Sequence, residues 1–569
     1  MKNILTFFKK NFIFILIIFL SIFLRFYSYQ NFPPALNWDE VSHGYNAYSI
    51  LKTGMDEWGK KFPIINFRAY GDYPLTLNLY LTIPFIRFLS LNEFSIRLPH
   101  MILGVLTVVS SYYLVLGLFK KKNYALLTAL LVAIDPWFLF PSRGVFQSNL
   151  SVFLLITSMA IYFNREKKKL FLPLSIFTLF LTLFSYHSTR IFSPLILMSL
   201  LFIYKRELSL FLKENKVYKT ISIALIGVFF ISLPIILLNP ESRARSQWVF
   251  LIDEGAINRI NEQRRISNLP ETFRRYVYNK PLYILKEFSI NYIGYFSPKY
   301  LFFKGGTQYQ FSVPNFGLLY YPNLVFFYVG LIFVLYKALI KKEKNYLFIL
   351  VWLIFAPVVA SITKERYAVL RSTTMLPIPE VLSVLGFYLF LEKFKNKKVL
   401  SKIFLGMYIG SLILCLSVYY KNLMTDYRKD YSWSWQYGYK DVIEYTKENY
   451  NKYDKVIVTK KYGEPHEFFL FFWPWDPKDY INDKNLVRFN QSDWYWVDSF
   501  DKFYFVNDWD IPKENSEDFK LESGTTFNCE LQDIKCLLIT SPDNYPDGWK
   551  KLKEINFLNG DRAFEIYEN

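Results

Sequence analysis

NFIFILIIFLSIFLRFYSY, residues 11–29, is an apolar run close to the ~20 residues that cross a bilayer. It is followed at once by LNWDEVSHGYNA, residues 36–47, which carries the adjacent carboxylates Asp39 and Glu40. No small-residue cleavage site follows the apolar run, so we interpret it as a first membrane helix and not as a signal peptide. The chain therefore places an acidic pair at the point where it leaves the lipid.

The composition indicates a polytopic membrane protein. Hydrophobic residues make up 52% of the 569 residues and aromatic residues 20%. The net charge of +19 is divided unevenly, because residues 1–420 hold 47 Lys and Arg against 20 Asp and Glu, whereas residues 421–569 hold 20 against 28. The basic clusters lie between apolar segments, and no basic arm or RNA-binding motif occurs, which argues against a nucleic-acid partner.

Eleven apolar stretches predict a mainly α-helical membrane domain over residues 1–420. They lie at about 11–28, 98–118, 124–141, 149–163, 170–186, 191–204, 219–238, 319–336, 345–362, 374–391 and 399–420.

The stretch LTLNLYLTIPFIRFLSL (75–91) is a twelfth apolar candidate. If it does not cross, the basic clusters fall on one side of the membrane together with the amino terminus, as the positive-inside rule requires. We therefore predict an interfacial helix, consistent with Pro84 at its middle. This topology puts the amino terminus in the cytoplasm, and it puts the first loop (29–97), the long loop (239–318) and the tail outside.

The tail, residues 421–569, is predicted to be a separate small α/β or α+β domain. A helix is expected at 437–450 and strands at 455–460, 502–506, 536–540 and 564–568. Cys529 and Cys536 could form a disulfide outside the cell, and two thiols are an equal alternative.

The acidic stretch predicts an amphipathic helix over residues 39–51. A step of 100° per residue puts Asp39, His43 and Asn46 on one side, and Val41, Tyr45 and Tyr48 on the other. We expect the tyrosines to face the lipid headgroups and the polar side to face an aqueous site. The alternative is that Asp39 and Glu40 only cap the helix.

A second acidic point, Asp72 in FRAYGDYP (67–74), could line the same cavity as Asp39. The alternative is a turn in which this aspartate bonds its own backbone.

Cationic groups are expected at the outer ends of the spans. They are Arg143, His187, Arg190 and the group Lys364, Arg366 and Arg371. Each alone could be an anchor that reaches for lipid phosphate. Together with the acidic pair, they indicate a site that receives an anionic headgroup and also needs a base.

Several motifs resemble the integral-membrane GT-C glycosyltransferases, in particular the protein O-mannosyltransferase and lipid A aminoarabinose transferase group. The motifs cover roughly residues 1–420 and are WDE (38–40), GDYP (71–74), NEFSIRLPHMILGVLTVV (92–109), AIDPWFLFPSRGVF (133–146), RY (366–367) and LPIP (376–379).

The resemblance implies transfer of one sugar from a polyprenyl-phosphate carrier to an acceptor outside. It implies Asp39 as the catalytic residue, with Glu40 beside it. The group expected to bind the donor phosphate is Arg143, His187, Arg190, Arg366, Asp72, Tyr73 and His43. Tyr73 with a single Pro74 departs from the Pro-Pro element of the family. The family's acid after the span-three arginine is replaced by Gln147 and Asn149, so a divalent metal is not favoured and no cofactor is assigned.

The chemistry fits this assignment. Arginines stabilise a phosphate leaving group, and a carboxylate accepts the proton of the incoming hydroxyl. One acting carboxylate predicts a single displacement with inversion. The long loop, with its basic stretch 258–280, is expected to be a mobile cover over the site or else an amphipathic helix on anionic lipid.

Other functions stay open at this point. A transporter or flippase would need charges at mid-membrane, an oligosaccharide ligase would share the fold, and an adhesion domain would not need eleven spans. The expected partners are a polyprenyl-phosphate-linked sugar, a protein, glycan or lipid acceptor, and the plasma membrane.

Overall fold

The chain forms two compact units. In the computed structural model the membrane unit contains Met1–Tyr27 and His100–Lys421, and the loop–tail unit contains Ser28–Pro99 and Asn422–Asn569. The sequence places the first loop in the membrane domain, whereas the contacts within the structure group it with the tail. The structure describes residues 2–394, 396–491, 494–530 and 533–569.

All eleven predicted spans coincide with helices. By length and composition, five helices of the described residues could cross a membrane, or seven if each of two bent pairs counts as one span. The five are Glu93–Phe119, Lys216–Leu238, Tyr321–Ile340, Lys344–Ser361 and Lys398–Asp430, and the bent pairs are Lys122–Ile134 with Pro136–Arg143 and Val369–Met375 with Ile378–Glu392. The remaining predicted spans correspond to Lys2–Phe26, Gln147–Phe163, Phe171–Phe184 and Thr189–Ile203.

The predicted interfacial helix is Leu77–Leu89 and belongs to the loop–tail unit. Its 13 residues give a length of about 20 Å, which is less than the ~30 Å hydrocarbon core. Three helices that correspond to predicted spans, Gln147–Phe163, Phe171–Phe184 and Thr189–Ile203, are also short. Length alone therefore does not separate this helix from them, and its interfacial position stays a prediction.

Two glycines bring two helices of the membrane unit into backbone contact. A Cβ atom on Gly330 would lie 1.9 Å from the carbonyl oxygen of Leu382, and one on Gly386 would lie 1.9 Å from that of Phe326. The helices Leu324–Leu335 and Ile378–Glu392 can approach this closely only because neither position has a side chain.

We predict that Gly386→Ala lowers the stability of the membrane unit by about 1–3 kcal/mol, because the new methyl group overpacks the contact. The measurement is thermal unfolding of the full chain in detergent. Gly406→Ala is the matched control, since nothing lies within 4 Å of a Cβ there. Equal unfolding temperatures for the two variants would contradict the backbone contact.

The long loop is mostly helical. Its helices are Pro240–Val249, Glu254–Ile266, Glu271–Val277 and Lys280–Gly294, followed by a π-helical turn at Lys299–Lys304. Backbone hydrogen bonds from Leu251 to Ile362 (3.2 Å) and from Lys364 to Val249 (3.0 Å) tie its start to the end of a later span. Its role as a cover stays a prediction.

The tail is built on a mixed seven-stranded sheet. The strands of the tail are β1 Lys455–Thr459, β2 Val487–Gln491, β3 Trp494–Phe500, β4 Phe503–Val506, β5 Phe519–Lys520, β6 Thr526–Phe527, β7 Cys536–Thr540, β8 Lys550–Asn556 and β9 Arg562–Glu568. The order in the large sheet is β2-β3-β4-β1-β7-β9-β8, in which β1 is parallel to β4 and β7 and the other pairs are antiparallel. Strands β5 and β6 form a separate two-stranded antiparallel sheet. The four predicted strands correspond to β1, β4, β7 and β9.

Helices accompany this sheet at Arg428–Asp430, Tyr439–Asn449, Pro465–Phe472 and Pro477–Ile481. A cluster of buried apolar side chains in the tail includes Phe519 and Trp549. Cys529 and Cys536 belong to the same cluster and form a disulfide, which decides between the two alternatives left open by the sequence.

The first-loop helix, Trp38–Thr53, packs against the tail and not against lipid headgroups. Tyr45 is fully buried, its hydroxyl donates to the carbonyl of Trp475 (3.2 Å), and its ring contacts Tyr480 edge to face. Gly44 allows Phe471 to approach, because a Cβ there would lie 2.5 Å from the phenylalanine ring. The expectation that Tyr45 faces the headgroups is therefore wrong, since the tail covers this side of the helix.

Three carboxyl groups are buried where the first loop meets the helix Pro465–Phe472. Burial and then the charge of Glu57 raise the pKa of Glu467, and burial likewise raises the pKa of Glu57 and Glu464. His466 lies among them, with ring nitrogens 3.6 Å and 3.8 Å from the carboxylates of Glu464 and Glu467. Burial lowers its pKa to about 3, so it adds no positive charge at neutral pH. Arg488 opposes the rise at Glu57.

We predict that the loop–tail unit is less stable at pH 8 than at pH 5. Carboxyl groups with a raised folded pKa keep their protons in the folded state while the unfolded chain loses them above about pH 4.5, so the free energy of unfolding falls as the pH rises. The slope is up to about 1.4 kcal/mol per pH unit for each such group. Hydrogen exchange of the amides in Pro465–Phe472, measured in the full chain, reports this stability.

Glu467→Gln should flatten the pH dependence, and the exposed Glu444→Gln should leave it unchanged. Stability that rises from pH 5 to pH 8 in the wild type would contradict the raised pKa values.

Candidate active site

The helix that carries the acidic pair begins at a complete capping box. The side chain of Asn37 accepts a hydrogen bond from the backbone of Glu40 (3.0 Å), and the Glu40 carboxylate accepts one from the backbone of Asn37 (3.2 Å). Gly54 ends the helix in the left-handed conformation, at φ 73°. The alternative that the acidic residues cap the helix therefore holds for Glu40. The capping box also fixes the position of Asp39 on the first turn.

Glu40 also forms a buried ion pair with Arg97. The guanidinium donates from Nε to Oε1 (2.9 Å) and from a terminal nitrogen to Oε2 (2.8 Å), and the arginine and glutamate side chains are 3% and 0% exposed. The same arginine donates to the carbonyl of Ala35 (2.5 Å). A bidentate ion pair that is shielded from water holds the start of the first-loop helix firmly against the segment that contains Arg97. Glu40 is therefore committed to fixing the helix.

Asp39 points to a different environment. It is half-buried and accepts a hydrogen bond from the hydroxyl of Tyr70. Burial, and after it the charge of Asp39, holds the pKa of Tyr70 well above its usual value, so the hydroxyl stays a neutral donor. The ring of Trp38 lies 6.5 Å from that of Tyr70, centroid to centroid. The carboxylate of Asp39 is thus oriented by a donor that cannot lose its proton at neutral pH.

His43 lies one turn further along the helix and is buried. Its Nε2 is 2.9 Å from the hydroxyl of Thr82 on the helix Leu77–Leu89. Burial lowers the pKa of His43 to about 3, so the ring is neutral at physiological pH. A neutral imidazole is a weak phosphate ligand, and this geometry favours a role in joining the two helices.

Asp72 and Tyr73 form a turn in the first loop. The Asp72 carboxylate accepts the backbone hydrogen bond of Tyr73 (2.7 Å), which is the geometry of the turn alternative. The hydroxyl of Tyr73 lies 2.8 Å from that of Tyr495 in β3. Donor binding by either residue stays a prediction.

Arg143 is buried in the membrane unit. Its terminal nitrogens donate to the carbonyls of Leu24 (2.7 Å) and Tyr27 (2.9 Å), at the end of the helix Lys2–Phe26, and to the hydroxyl of Tyr420 (3.1 Å). A cation at the carboxyl end of a helix is favourable, because the last carbonyls lack partners in the helix. Arg143 therefore joins two spans whether or not it also contacts phosphate.

The other predicted phosphate ligands have different surroundings. Arg190 is buried and donates to the carbonyl of Leu183 (3.0 Å) and the hydroxyl of Ser242 (2.8 Å). Arg366 is more than half exposed and pairs with Glu287 of the long loop at 2.7 Å. His187 is half-buried in the turn between two short spans.

The structure brings the acidic candidates together within one unit. Asp39, Glu40, His43, Asp72 and Tyr73 lie in the loop–tail unit, and Arg143, His187, Arg190 and Arg366 lie in the membrane unit. A single cavity that contains both groups stays a prediction. Within the described part of the chain, no group of three or more His, Cys, Asp or Glu side chains could hold a metal ion.

Two residues of the site were missed by sequence reasoning. Arg97 lies in NEFSIRLPH, which was quoted for the resemblance, and a lone cation ahead of an apolar span was the available signal. Tyr70 gave no signal, because one tyrosine among 44 in the chain has nothing to distinguish it.

Comparison with known proteins agrees with the resemblance. Residues 15–237 match the family model of dolichyl-phosphate-mannose-protein mannosyltransferase. Among solved structures, the oligosaccharyltransferase AglB from Archaeoglobus fulgidus, in complex with an inhibitory peptide and a dolichol-phosphate, has a TM-score of 0.50 and 14% identity, over 82% of this chain and 64% of that chain. This chain has the GT-C fold.

The chain spans less than two thirds of the archaeal enzyme's length. ArnT from Cupriavidus metallidurans in the apo state has a TM-score of 0.48 and 9% identity, over 100% of this chain and 98% of that chain. No curated protein matches the sequence. The matched region contains the first loop, Arg143 and Arg190, and it ends before Arg366.

Proposed function

We propose that this GT-C protein transfers a single sugar from a polyprenyl-phosphate carrier to an acceptor hydroxyl, with inversion at the anomeric carbon and Asp39 as the general base. The observation that carries the proposal is the division within the acidic pair. Glu40 is held by Arg97 and the capping box, whereas Asp39 is half-buried and oriented by Tyr70. Glu40 thus holds the helix in place, and Asp39 is the carboxylate that we assign to the chemical step.

A base must lie within hydrogen-bond reach of the proton that it removes. The helix start is fixed by the Asn37 cap, so the first-turn carboxylate has a defined position. The neutral hydroxyl of Tyr70 stabilises the charged form of Asp39, which is the form that accepts a proton. With one carboxylate acting directly, the incoming oxygen attacks opposite the departing phosphate and the configuration inverts.

The departing phosphate needs cations. Arg143, Arg190, Arg366 and His187 remain our candidates for this role. Arg366 can exchange its ion pair with Glu287 for a contact with the phosphate, because exposed ion pairs are weak. Arg143 and Arg190 each carry a planar fork that can donate to phosphate oxygens in addition to the carbonyls that they already contact.

The comparisons support the donor and the acceptor in general terms. The family description names a dolichyl-phosphate-linked mannose and a protein acceptor. We propose accordingly a polyprenyl-phosphate sugar as donor and a hydroxyl of a protein as acceptor, with the tail outside the plasma membrane and the amino terminus inside. The disulfide Cys529–Cys536 supports the placement of the tail, because disulfides persist in oxidising compartments.

An oligosaccharide ligase is the second candidate, favoured by the fold shared with the archaeal oligosaccharyltransferase. An assay with lipid-linked substrates of different size distinguishes the two functions. A single-sugar transferase uses a polyprenyl monophosphate hexose, whereas a ligase uses a lipid-linked oligosaccharide.

We predict that Asp39→Asn lowers sugar transfer by about 10²–10⁴-fold, because the base is lost while the side-chain shape is kept. The measurement uses purified full chain in vesicles with radiolabelled hexosyl polyprenyl phosphates and a serine- and threonine-rich peptide. Asp430→Asn, an exposed aspartate of the same unit, is the matched control and should keep full activity. Undiminished transfer by the folded Asp39→Asn variant would reject the assignment of the base.

A further inference from the structure

The first loop holds a guanidinium in an aromatic corner close to Asp39. The central carbon of Arg68 lies 5.1 Å from the ring centroid of Trp58 and 4.4 Å from that of Tyr495. The two rings are 5.5 Å apart and 71° to each other, so their faces form two walls of the corner. Cation–π attraction fixes the guanidinium in this place.

This guanidinium differs from others in the same unit. Arg97, Arg488 and Arg562 each donate a hydrogen bond to a carboxylate or a carbonyl. Within the part of the chain that the structure describes, Arg68 forms neither a side-chain hydrogen bond nor an ion pair. The guanidinium of Arg68 is planar and half-buried, and it carries five N–H donors. The neighbouring aromatic rings accept none of these donors in the guanidinium plane. Arg68 is therefore suited to bind an incoming oxyanion.

A second guanidinium makes the corner more positive. Arg488 lies over the same indole of Trp58, at 4.3 Å. Glu57, the neighbour of this tryptophan in the sequence, accepts the indole hydrogen bond at 3.1 Å and is buried, and burial raises its pKa to about 7. Two guanidinium groups beside one indole therefore complement a negatively charged ligand.

The corner is linked directly to Asp39. Phe67 donates to the carbonyl of Pro74 (3.1 Å) and Ala69 donates to that of Asp72 (3.0 Å), so this segment is an extended hairpin. Tyr70 and Gly71 form the turn of this hairpin, two residues after Arg68, and the backbone of Tyr495 donates to the carbonyl of Tyr70 (2.6 Å). Two residues span at most about 7 Å, and the hydroxyl of Tyr70 contacts Asp39. The guanidinium of Arg68 and the Asp39 carboxylate are therefore on the order of 10 Å apart.

We infer that the corner formed by Arg68, Trp58 and Tyr495 binds a carboxylate side chain of the acceptor protein, about three residues from the hydroxyl that receives the sugar. The inference rests on the proposed function and adds to it a class of acceptor. The spacing follows from the distance, because three extended residues span roughly 10 Å. A bidentate contact with the planar guanidinium would recognise Asp or Glu and reject Lys.

Peptide binding tests this without any sugar donor. The probes are fluorescein-labelled, alanine-rich peptides with one central threonine and Glu, Gln or Lys three residues before or after it. Fluorescence anisotropy with the full chain in nanodiscs gives the dissociation constants. We expect one of the two Glu peptides to bind about tenfold more tightly than its Gln counterpart, as a charge-assisted hydrogen bond allows, and the Lys peptide to bind most weakly.

Arg68→Gln should abolish the preference for Glu, and Arg68→Lys should keep part of it, because lysine keeps the charge without the fork. Lys550→Gln, which removes a mostly exposed charge from the same unit, should keep the full preference. A preference for Glu that survives Arg68→Gln would overturn the inference. Binding of oligogalacturonate that depends on Arg68, without any discrimination among the peptides, would also overturn it in favour of a glycan acceptor.

These experiments distinguish a failure of the proposed function from a failure of the inference about the acceptor. Asp39→Asn should bind the Glu peptide as the wild type does and should not transfer sugar. If Asp39→Asn loses transfer and Arg68→Gln binds every peptide as the wild type does, only the acceptor class is wrong.

Discussion

The buried ion pair between Glu40 and Arg97 is the constraint on which the site depends. It joins the start of the first-loop helix to the segment that leads into the next span, 57 residues later. Removal of either partner would leave an isolated charge in a dry environment, which is far less favourable than the complete pair. The helix therefore begins at one place, and Asp39 on its first turn has one position.

The tail provides the rest of the support. The first-loop helix is covered by residues of the tail that lie more than 400 positions later, such as Trp475 and Tyr480. The backbone of Tyr495 in β3 donates to the carbonyl of Tyr70 (2.6 Å), the residue whose hydroxyl orients Asp39. The tail thus contributes to the geometry of the candidate base. It also supplies one wall of the corner that holds Arg68.

Local patterns in the sequence predicted the helices well and the site in part. The spans followed from apolar runs, and β1, β4, β7 and β9 followed from short apolar stretches. Strands β2, β3 and β8 of the same sheet were missed. Strand β8 reads KKLKEIN and its side chains are mostly exposed, so it has no apolar run to mark it. Asp39 was named from its place after the first span, and its role as the base stays a prediction. Its supports, Arg97 and Tyr70, come from distant positions, and the burial of Tyr45 under the tail is a tertiary contact that helical periodicity does not reveal.

Hydrogen exchange of the first-loop helix tests the division between the two carboxylates most directly. In the full chain, Arg97→Gln should make the amides of residues 41–53 exchange at least about 100-fold faster, since a broken buried pair costs several kcal/mol. Asp39→Asn should leave these rates unchanged, because Asp39 acts in the chemistry and Glu40 holds the helix. Unchanged exchange in Arg97→Gln, or faster exchange in Asp39→Asn, would contradict it.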